Sequence, residues 1–194
     1  TWQVRAGFTN ISPQVSSGDL TSPSFPGTKT DILSATQLSG GVTYMLTNHF
    51  AIDLPLALPF KHDLVGDGAI KGVGKIGETK ALPVSLFAQY RFMEADAQLR
   101  PYLGLGVTYA KFFKEKGTAT LSALTAGNPT NLSIESKMAL TPQVGLIFNV
   151  NPKWFADVSV SKTFLKNRTT LSTGQTIDVK LDPISFCVGI GYKF

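Results

Sequence analysis

The stretch Ile184-Ser185-Phe186-Cys187-Val188-Gly189-Ile190-Gly191-Tyr192-Lys193-Phe194 places Ile184, Phe186, Val188, Ile190, Tyr192 and Phe194 on one parity. Ser185, Cys187, Gly189, Gly191 and Lys193 fall on the other. Successive side chains of a strand point to opposite faces, so this is a strand with one bulky apolar face and one small or polar face. Which face turns outward decides the fold. A soluble barrel of the lipocalin kind fills its interior with large apolar residues and turns polar ones to water. A membrane barrel reverses this, because its outside meets hydrocarbon and its narrow inside has room for little more than small and polar side chains.

The same alternation recurs seven more times along the chain. Trp2, Val4, Ala6 and Phe8 oppose Gln3, Arg5, Gly7 and Thr9; Leu38, Val42, Tyr44 and Leu46 oppose Gln37, Ser39, Gly41 and Thr43. Phe50, Ile52, Leu54, Leu56 and Leu58 oppose Ala51, Asp53, Pro55 and Ala57; Leu82, Val84, Leu86, Tyr90 and Phe92 oppose Ser85, Phe87, Gln89 and Arg91. Leu103, Leu105, Val107 and Tyr109 oppose Tyr102, Gly104, Gly106 and Thr108; Leu140, Val144, Leu146 and Phe148 oppose Thr141, Gln143, Gly145 and Asn149. Trp154, Ala156, Val158 and Val160 oppose Phe155, Asp157, Ser159 and Ser161. The small and polar parity, with Arg5, Asp53, Arg91, Asp157 and Lys193 among its glycines, fits the inside of a barrel and not its surface. Strands of about ten residues are long enough to cross a bilayer when tilted.

The connections alternate in length. Three are short, at Thr47-Asn48-His49, residues 94–98 and Asn151-Pro152-Lys153, and four are long, at residues 11–35, 61–79, 113–135 and 166–180. The expected fold is therefore all-β: one domain over residues 1–194, an eight-stranded antiparallel up-and-down transmembrane barrel with long extracellular loops and short periplasmic turns, in a bacterial outer membrane.

Composition agrees without deciding. The mean hydropathy of +0.09 is what alternation averages to. No apolar run reaches the length of a helical span. The sequence starts at Thr1 without a basic and apolar leader, so either a signal peptide has been removed or none existed. One cysteine, Cys187, excludes an internal disulfide and a cysteine-based zinc cluster.

Threading the strands up and down gives each residue a height. Outward aromatics gather near the inner ends (Trp2, Tyr44, Phe50, Tyr90, Phe92, Phe148, Trp154, Tyr192, Phe194) and, more sparsely, near the outer ends (Phe8, Phe60, Tyr109, Phe164). Two such girdles are what lipid interfaces select. The formal charge is +5, and outward lysines fall at the outer rim: Lys80, Lys111, Lys162 and Lys180. There a charge costs almost nothing and can meet lipopolysaccharide phosphates. No basic stripe with interleaved aromatics is present, so nucleic acid is not an expected partner.

Several segments resemble the OmpW family of small outer-membrane barrels, which includes the alkane-import protein AlkL. They are Pro59-Phe60-Lys61-His62, Arg100-Pro101-Tyr102-Leu103-Gly104-Leu105-Gly106, Phe112-Phe113, Leu181-Asp182-Pro183 and Gly191-Tyr192-Lys193-Phe194. The strand spacing matches over nearly the whole chain, and the loops match poorly. The final strand, ending at Phe194 with Tyr192 two residues before it, looks like the signal read by the barrel-assembly machinery. The resemblance implies passage of small hydrophobic molecules through the outer leaflet, with lateral release into the membrane. It also implies a narrow apolar tunnel in the outer half, constricted near Pro55, Leu56 and Ser161. Ser161 departs from the family pattern, in which a bulky aromatic is familiar there.

Read without the resemblance, Arg5, Asp53, Arg91, Asp157 and Lys193 all point inward in the inner half. Charges in so narrow a lumen are expected to pair and fill it, as a plug or as a network serving stability alone. The outer half carries Pro55, Ala57, Phe87 and Ser161 among small residues, a lining able to admit an apolar ligand. Pro55, Pro59 and Pro83 fall on neighbouring strands, and each lacks a ladder donor. They suggest a weakened seam for lateral exit or, equally, local bending.

Gly72-Val73-Gly74-Lys75-Ile76-Gly77 fits a dinucleotide-binding pattern, but no crossover helix follows and it reads as loop. His49 and His62 lie far apart, without an activated nucleophile, so no enzyme, cofactor or metal is expected. Two functions remain: uptake of small hydrophobic compounds, or a structural or recognition barrel (adhesin, phage or toxin receptor). Leu20, Pro23, Phe25, Pro26, Leu121, Leu124 and Pro129 in the loops serve either.

Overall fold

A computed structural model of the chain describes residues 1–14, 16–17, 28–68, 74–117, 132–134, 137–180 and 182–194. In chain order the strands are β1 (Trp2–Ser12), β2 (Ser16–Ser17), β3 (Thr28–Ile32), β4 (Ala35–Met45), β5 (Phe50–Ala57), β6 (Phe60–Gly68) and β7 (Lys75–Arg91). They continue with β8 (Leu99–Gly117), β9 (Leu132–Ile134), β10 (Lys137–Asn149), β11 (Trp154–Lys162), β12 (Lys166–Leu171), β13 (Thr176–Lys180) and β14 (Ile184–Lys193). Strands β5, β4, β1, β14, β11, β10, β8 and β7 pair in that order, every pair antiparallel, and β7 returns to β5 to close the barrel. Closure pairs the strand edges round the barrel except between residues 54–59 and 82–86. The register fixes which parity faces out. Ala6 sits opposite Ile190 and Gly40, so Ile190 lies beside two small outward residues, while Gly7 meets Gly189 on the inside.

The bulky parity is on the outer surface. Leu54, Leu86, Leu105, Val107, Val144, Val158 and Val188 are all exposed. An apolar band running round the whole barrel is far larger than a soluble monomer shows and fits hydrocarbon. Below it the inner girdle is packed ring against ring: Trp2 on Tyr44 at 4.8 Å, Phe50 on Tyr90 at 5.0 Å, and Trp154 on Tyr192 at 5.0 Å. The inner turns fall at residues 46–49, 92–98 and 150–153, as expected.

Above the membrane the chain departs from the expected loops. Strands β7 and β8 stay paired as far as Gly77 opposite Gly117, with a one-residue register shift between Glu78 and Lys80, β6 pairs with β7, and β12 with β13 form a hairpin within a small second sheet. Residues 75–77 of the glycine-rich segment are strand, Gly74 makes the turn at φ 86°, and residues 72–73 lie outside the described set. These strands escaped a search for outward apolar residues because they reverse the polarity. In β6, Phe60, His62 and Leu64 are buried and Lys61 is exposed, as suits a sheet in water.

The reversal happens at one place. The pairing of β5 with β7 ends at Asp53 opposite Phe87 and resumes on β6 at Phe60 opposite Ala81. Counted along the chain, the register has moved by one residue, and a one-residue shift sends every side chain to the other face. Phe60 therefore does not belong to the outer girdle. It is 1% exposed and points into the barrel. Phe8, Tyr109 and Phe164 remain outside.

Candidate functional site

The inner half of the lumen is packed with polar side chains. Arg5 donates both terminal nitrogens to the Asp53 carboxylate at 2.7 Å each, Thr43 donates to the same carboxylate at 2.6 Å, and the Arg5 Nε lies 3.6 Å from Asp157. Asp157 also accepts from the Tyr102 hydroxyl at 2.9 Å. The two remaining charges find amides instead of carboxylates. Arg91 donates to Gln3 at 2.8 Å and to Gln89 at 3.3 Å, and Lys193 donates to Asn149 at 2.7 Å. The expected network of mutual ion pairs is thus three charges, not five. Arg91 and Lys193 lean on neutral partners because both carboxylates are already engaged by Arg5, Thr43 and Tyr102.

Residues not singled out in the sequence complete this layer. Tyr102 and Phe155, each 2% exposed, lie inside with Ile147. Tyr102 stands opposite Gly145 and Phe155 opposite Gly191, so each ring lies flat over a residue without a side chain. A Cβ at Gly145 would run into the Tyr102 ring, and one at Gly191 into Phe155. Cross-strand pairing of a large inward residue with glycine was the available signal, but it needs the register. Arg100 closes the inner mouth by donating to the carbonyls of Asn48 at 2.6 Å, Met93 at 3.2 Å and Phe92 at 3.2 Å.

Above the Arg5 layer the lumen opens into a cavity of about 80 Å³. Arg5, Asp157 and Gln143 reach it from below, and Ile11 and Phe60 border it on the outer side. One wall is lined by hydroxyls: Ser85, Thr108, Thr141 and Thr163 are linked in a row by hydrogen bonds of 2.7–3.0 Å. Thr9 is bonded to Ser39 at 2.7 Å and to the Cys187 thiol at 3.1 Å. The other wall is apolar, and there Pro55, Leu56, Ala57, Pro83 and Phe87 meet; Ser161 lines the cavity as well. The lining is therefore less apolar than the resemblance implied. Leu56 contributes at the wall's edge while its side chain is half exposed on the lipid face. Phe87 packs against Gly106 opposite it, where a Cβ would stand 2.7 Å from the ring.

The apolar wall is also the place where the ladder is interrupted. Residues 54–59 and 82–86 face one another, yet no pair joins them; β5 is held there only by β4, and β7 only by β8. Pro55, Pro59 and Pro83 border this gap and supply no N–H to bridge it. Sheet continuity resumes immediately above, at Phe60 and Lys61.

His62 is buried beneath the outer hairpin. Its Nδ1 donates to the Leu33 carbonyl at 2.9 Å and its ring stacks on Phe60. Burial pushes its imidazole below the usual value of 6.5. On the outward face of the same hairpin Glu78 accepts from Lys75 at 2.8 Å and Lys61 at 3.0 Å, which holds its carboxyl down at about 2. Of the expected rim lysines, Lys111, Lys162 and Lys180 are exposed and Lys80 is half-buried. Lys180 reaches Asp182 at 2.9 Å, and Lys162 lies over the Phe164 ring at 5.4 Å. The apolar loop residues Leu20, Pro23, Phe25, Pro26, Leu121, Leu124 and Pro129 lie outside the described residues.

A membrane barrel with this strand order, a packed inner half and a proline-bordered gap has close relatives among known proteins. The family model described as the OmpW family matches residues 1–194. The chain belongs to the OmpW family. Among its OmpW-family relatives, Outer membrane protein W of Vibrio cholerae serotype O1 is 32% identical over 98% of this chain and 87% of its own length. Outer membrane protein AlkL of Ectopseudomonas oleovorans is 24% identical over 100% of this chain and 82% of its own. The crystal structure of OprG from Pseudomonas aeruginosa superposes with a TM-score of 0.87 at 29% identity, covering 100% of this chain and 95% of that one. As an OmpW-family barrel, the protein resides in the bacterial outer membrane.

Proposed function

We propose that this barrel passes small hydrophobic molecules inward from the cell surface and releases them sideways into the membrane. The observation that carries the reading is the coincidence of the cavity's apolar wall with the break between β5 and β7. A molecule in the cavity has the Arg5 layer beneath it and a wall without a hydrogen-bond ladder beside it. Breaking the buried Arg5–Asp53–Asp157 network to reach the periplasm would cost far more than parting two strands held there by apolar contact alone. Pro55, Leu56, Ala57, Phe87 and Ser161 would form the ligand's path, and Arg5, Asp53, Arg91, Asp157 and Lys193 the barrier beneath it. The cavity is smaller than the roughly 300–1,000 Å³ of drug-sized ligand sites, so slender molecules fit it best.

The test is to tie the gap shut. Leu56→Cys and Val84→Cys, in a Cys187→Ser background, place thiols on opposite sides of the break for a short bifunctional maleimide. Cross-linked protein in vesicles should lose accelerated uptake of a hydrophobic fluorophore, and unlinked protein should keep it. Equal uptake by both forms would refute lateral exit. No acceleration by the wild-type barrel would favour the other reading, a recognition surface built on the β12–β13 hairpin, where Arg168 and Asp178 stand exposed.

A further inference from the structure

We infer that the outward face over β6, β7 and β8 holds a specific site for a phosphorylated, multiply acylated glycolipid of the outer leaflet, seated beside the break between β5 and β7. Lys61 on β6 and Lys80 on β7 are direct cross-strand partners, and Lys111 on β8 pairs with Leu82, two residues below Lys80. Three cations from three adjacent strands thus share one small patch. Of these, Lys61 is ion-paired with Glu78, which Lys75 also contacts. Among the described residues no carboxylate pairs with Lys80 or Lys111.

The rim over β11 and β13 differs. There Lys180 is neutralised by Asp182 and Lys162 covers an aromatic ring. Rim lysines near an anionic leaflet are each worth about fivefold in lipid affinity when their charge is uncompensated. The charge that would attract a phosphate is therefore concentrated over one arc of the barrel.

That arc has a second property. Below the lysines the lipid-facing surface is indented, with Ile52, Leu86, Ala88, Leu105, Val107 and Leu140 around the depression. Ala88 is the small outward residue flanked by Ile52 and Leu105. Lys111 stands four residues above Val107 on the same strand, about 13 Å at the rise of a strand. An acyl chain is long enough to span that height, so a lipid held by its phosphate at Lys61, Lys80 and Lys111 has a chain positioned over the depression. A lipid seated there would lie across the mouth through which the proposed lateral exit must run. Binding of the lipid stands on the lysines and the depression alone, whether or not uptake occurs.

The experiment uses the folded protein in phosphatidylcholine nanodiscs containing bisphosphorylated hexa-acyl lipid A, with lipid A retention read by native mass spectrometry. Lys61→Gln/Lys80→Gln/Lys111→Gln should retain lipid A about 25-fold less well than wild type, and Lys162→Gln/Lys180→Gln about as well. Dephosphorylated lipid A should not be retained. A photo-cross-linking residue at position 107 should capture lipid A, and one at Phe8 on β1, four strands round the barrel, should not. Heat-modifiable gel mobility confirms that each variant is folded. Equal losses in the two lysine variants, retention of dephosphorylated lipid, or equal capture at both positions would overturn the site.

Discussion

The two halves of the lumen are built on opposite rules. In the inner half every bulky inward side chain has a partner: Tyr102 and Phe155 lie over glycines, and Arg5, Asp53 and Asp157 satisfy one another. In the outer half the same barrel leaves a cavity of about 80 Å³, a wall of hydroxyls and a stretch of two strands with no ladder. Seven of the eight barrel strands run through both halves and only β5 is interrupted, at residues 58–59, so the difference rests on that break and on the side chains of the inward parity. Close packing and buried ion pairs make the inner half intolerant of change, whereas the outer half gives up contact energy to keep a space open.

The sharpest way to break this contrast is to unpair the inner charges. Asp53→Ala leaves Arg5 buried without its bidentate partner and is expected to destabilise the barrel by about 3–5 kcal/mol. Urea-induced unfolding in vesicles, followed by tryptophan fluorescence, measures it. Arg5→Met/Asp53→Leu should recover most of the loss, and failure to recover would mean that the pair is not the source. Next in size is Gly191→Ala, which drives a methyl into the Phe155 ring and should cost about 1–3 kcal/mol. Phe155→Leu in the same chain should relieve it.

The outer half sets the opposite expectation. Ser161→Phe occupies the cavity and should abolish accelerated uptake of a hydrophobic probe, with a smaller stability change than Gly191→Ala in the same urea titration. If stability fell further than in the glycine variant, the outer half would be as tightly packed as the inner. The smallest effect is a local one in the hairpin above. Because burial lowers the His62 pKa, the opened hairpin takes up a proton first as pH falls through about 6.5, and the closed form loses stability toward acid. Amide protection in β3 and β6, corrected for the pH dependence of intrinsic exchange, should fall between neutral pH and pH about 5, and in His62→Gln it should not.

What was legible in the sequence follows the same division. The membrane-spanning strands announce themselves because hydrocarbon demands an apolar outer parity over every crossing, and Trp2, Leu105 and Val188 obey it without exception. Compartment and barrel closure followed from that pattern, and the family from the motifs that resemble it. The inward positions of Arg5, Asp53, Arg91, Asp157 and Lys193 were legible too, but not their partners. Whether Arg91 meets Asp157 or Gln89 depends on register and side-chain reach across the lumen. Strand β6 was read as loop, and Phe60 was assigned to the wrong face, for one reason. Alternation gives a parity only relative to its own strand, and the one-residue shift at Pro59 has no mark in composition.

That shift has a consequence for how the molecule can be recombined. On its β6 side the segment above Pro59 carries its own buried residues, Phe60, His62 and Leu64, turned inward out of step with β5 below. A graft of the outer hairpin cut at Pro59 brings its interior with it, and one cut a residue to either side turns that interior out to water. The proline marks a joint between two modules, one shaped by lipid and the other by solvent, each free to be exchanged while the other stays fixed.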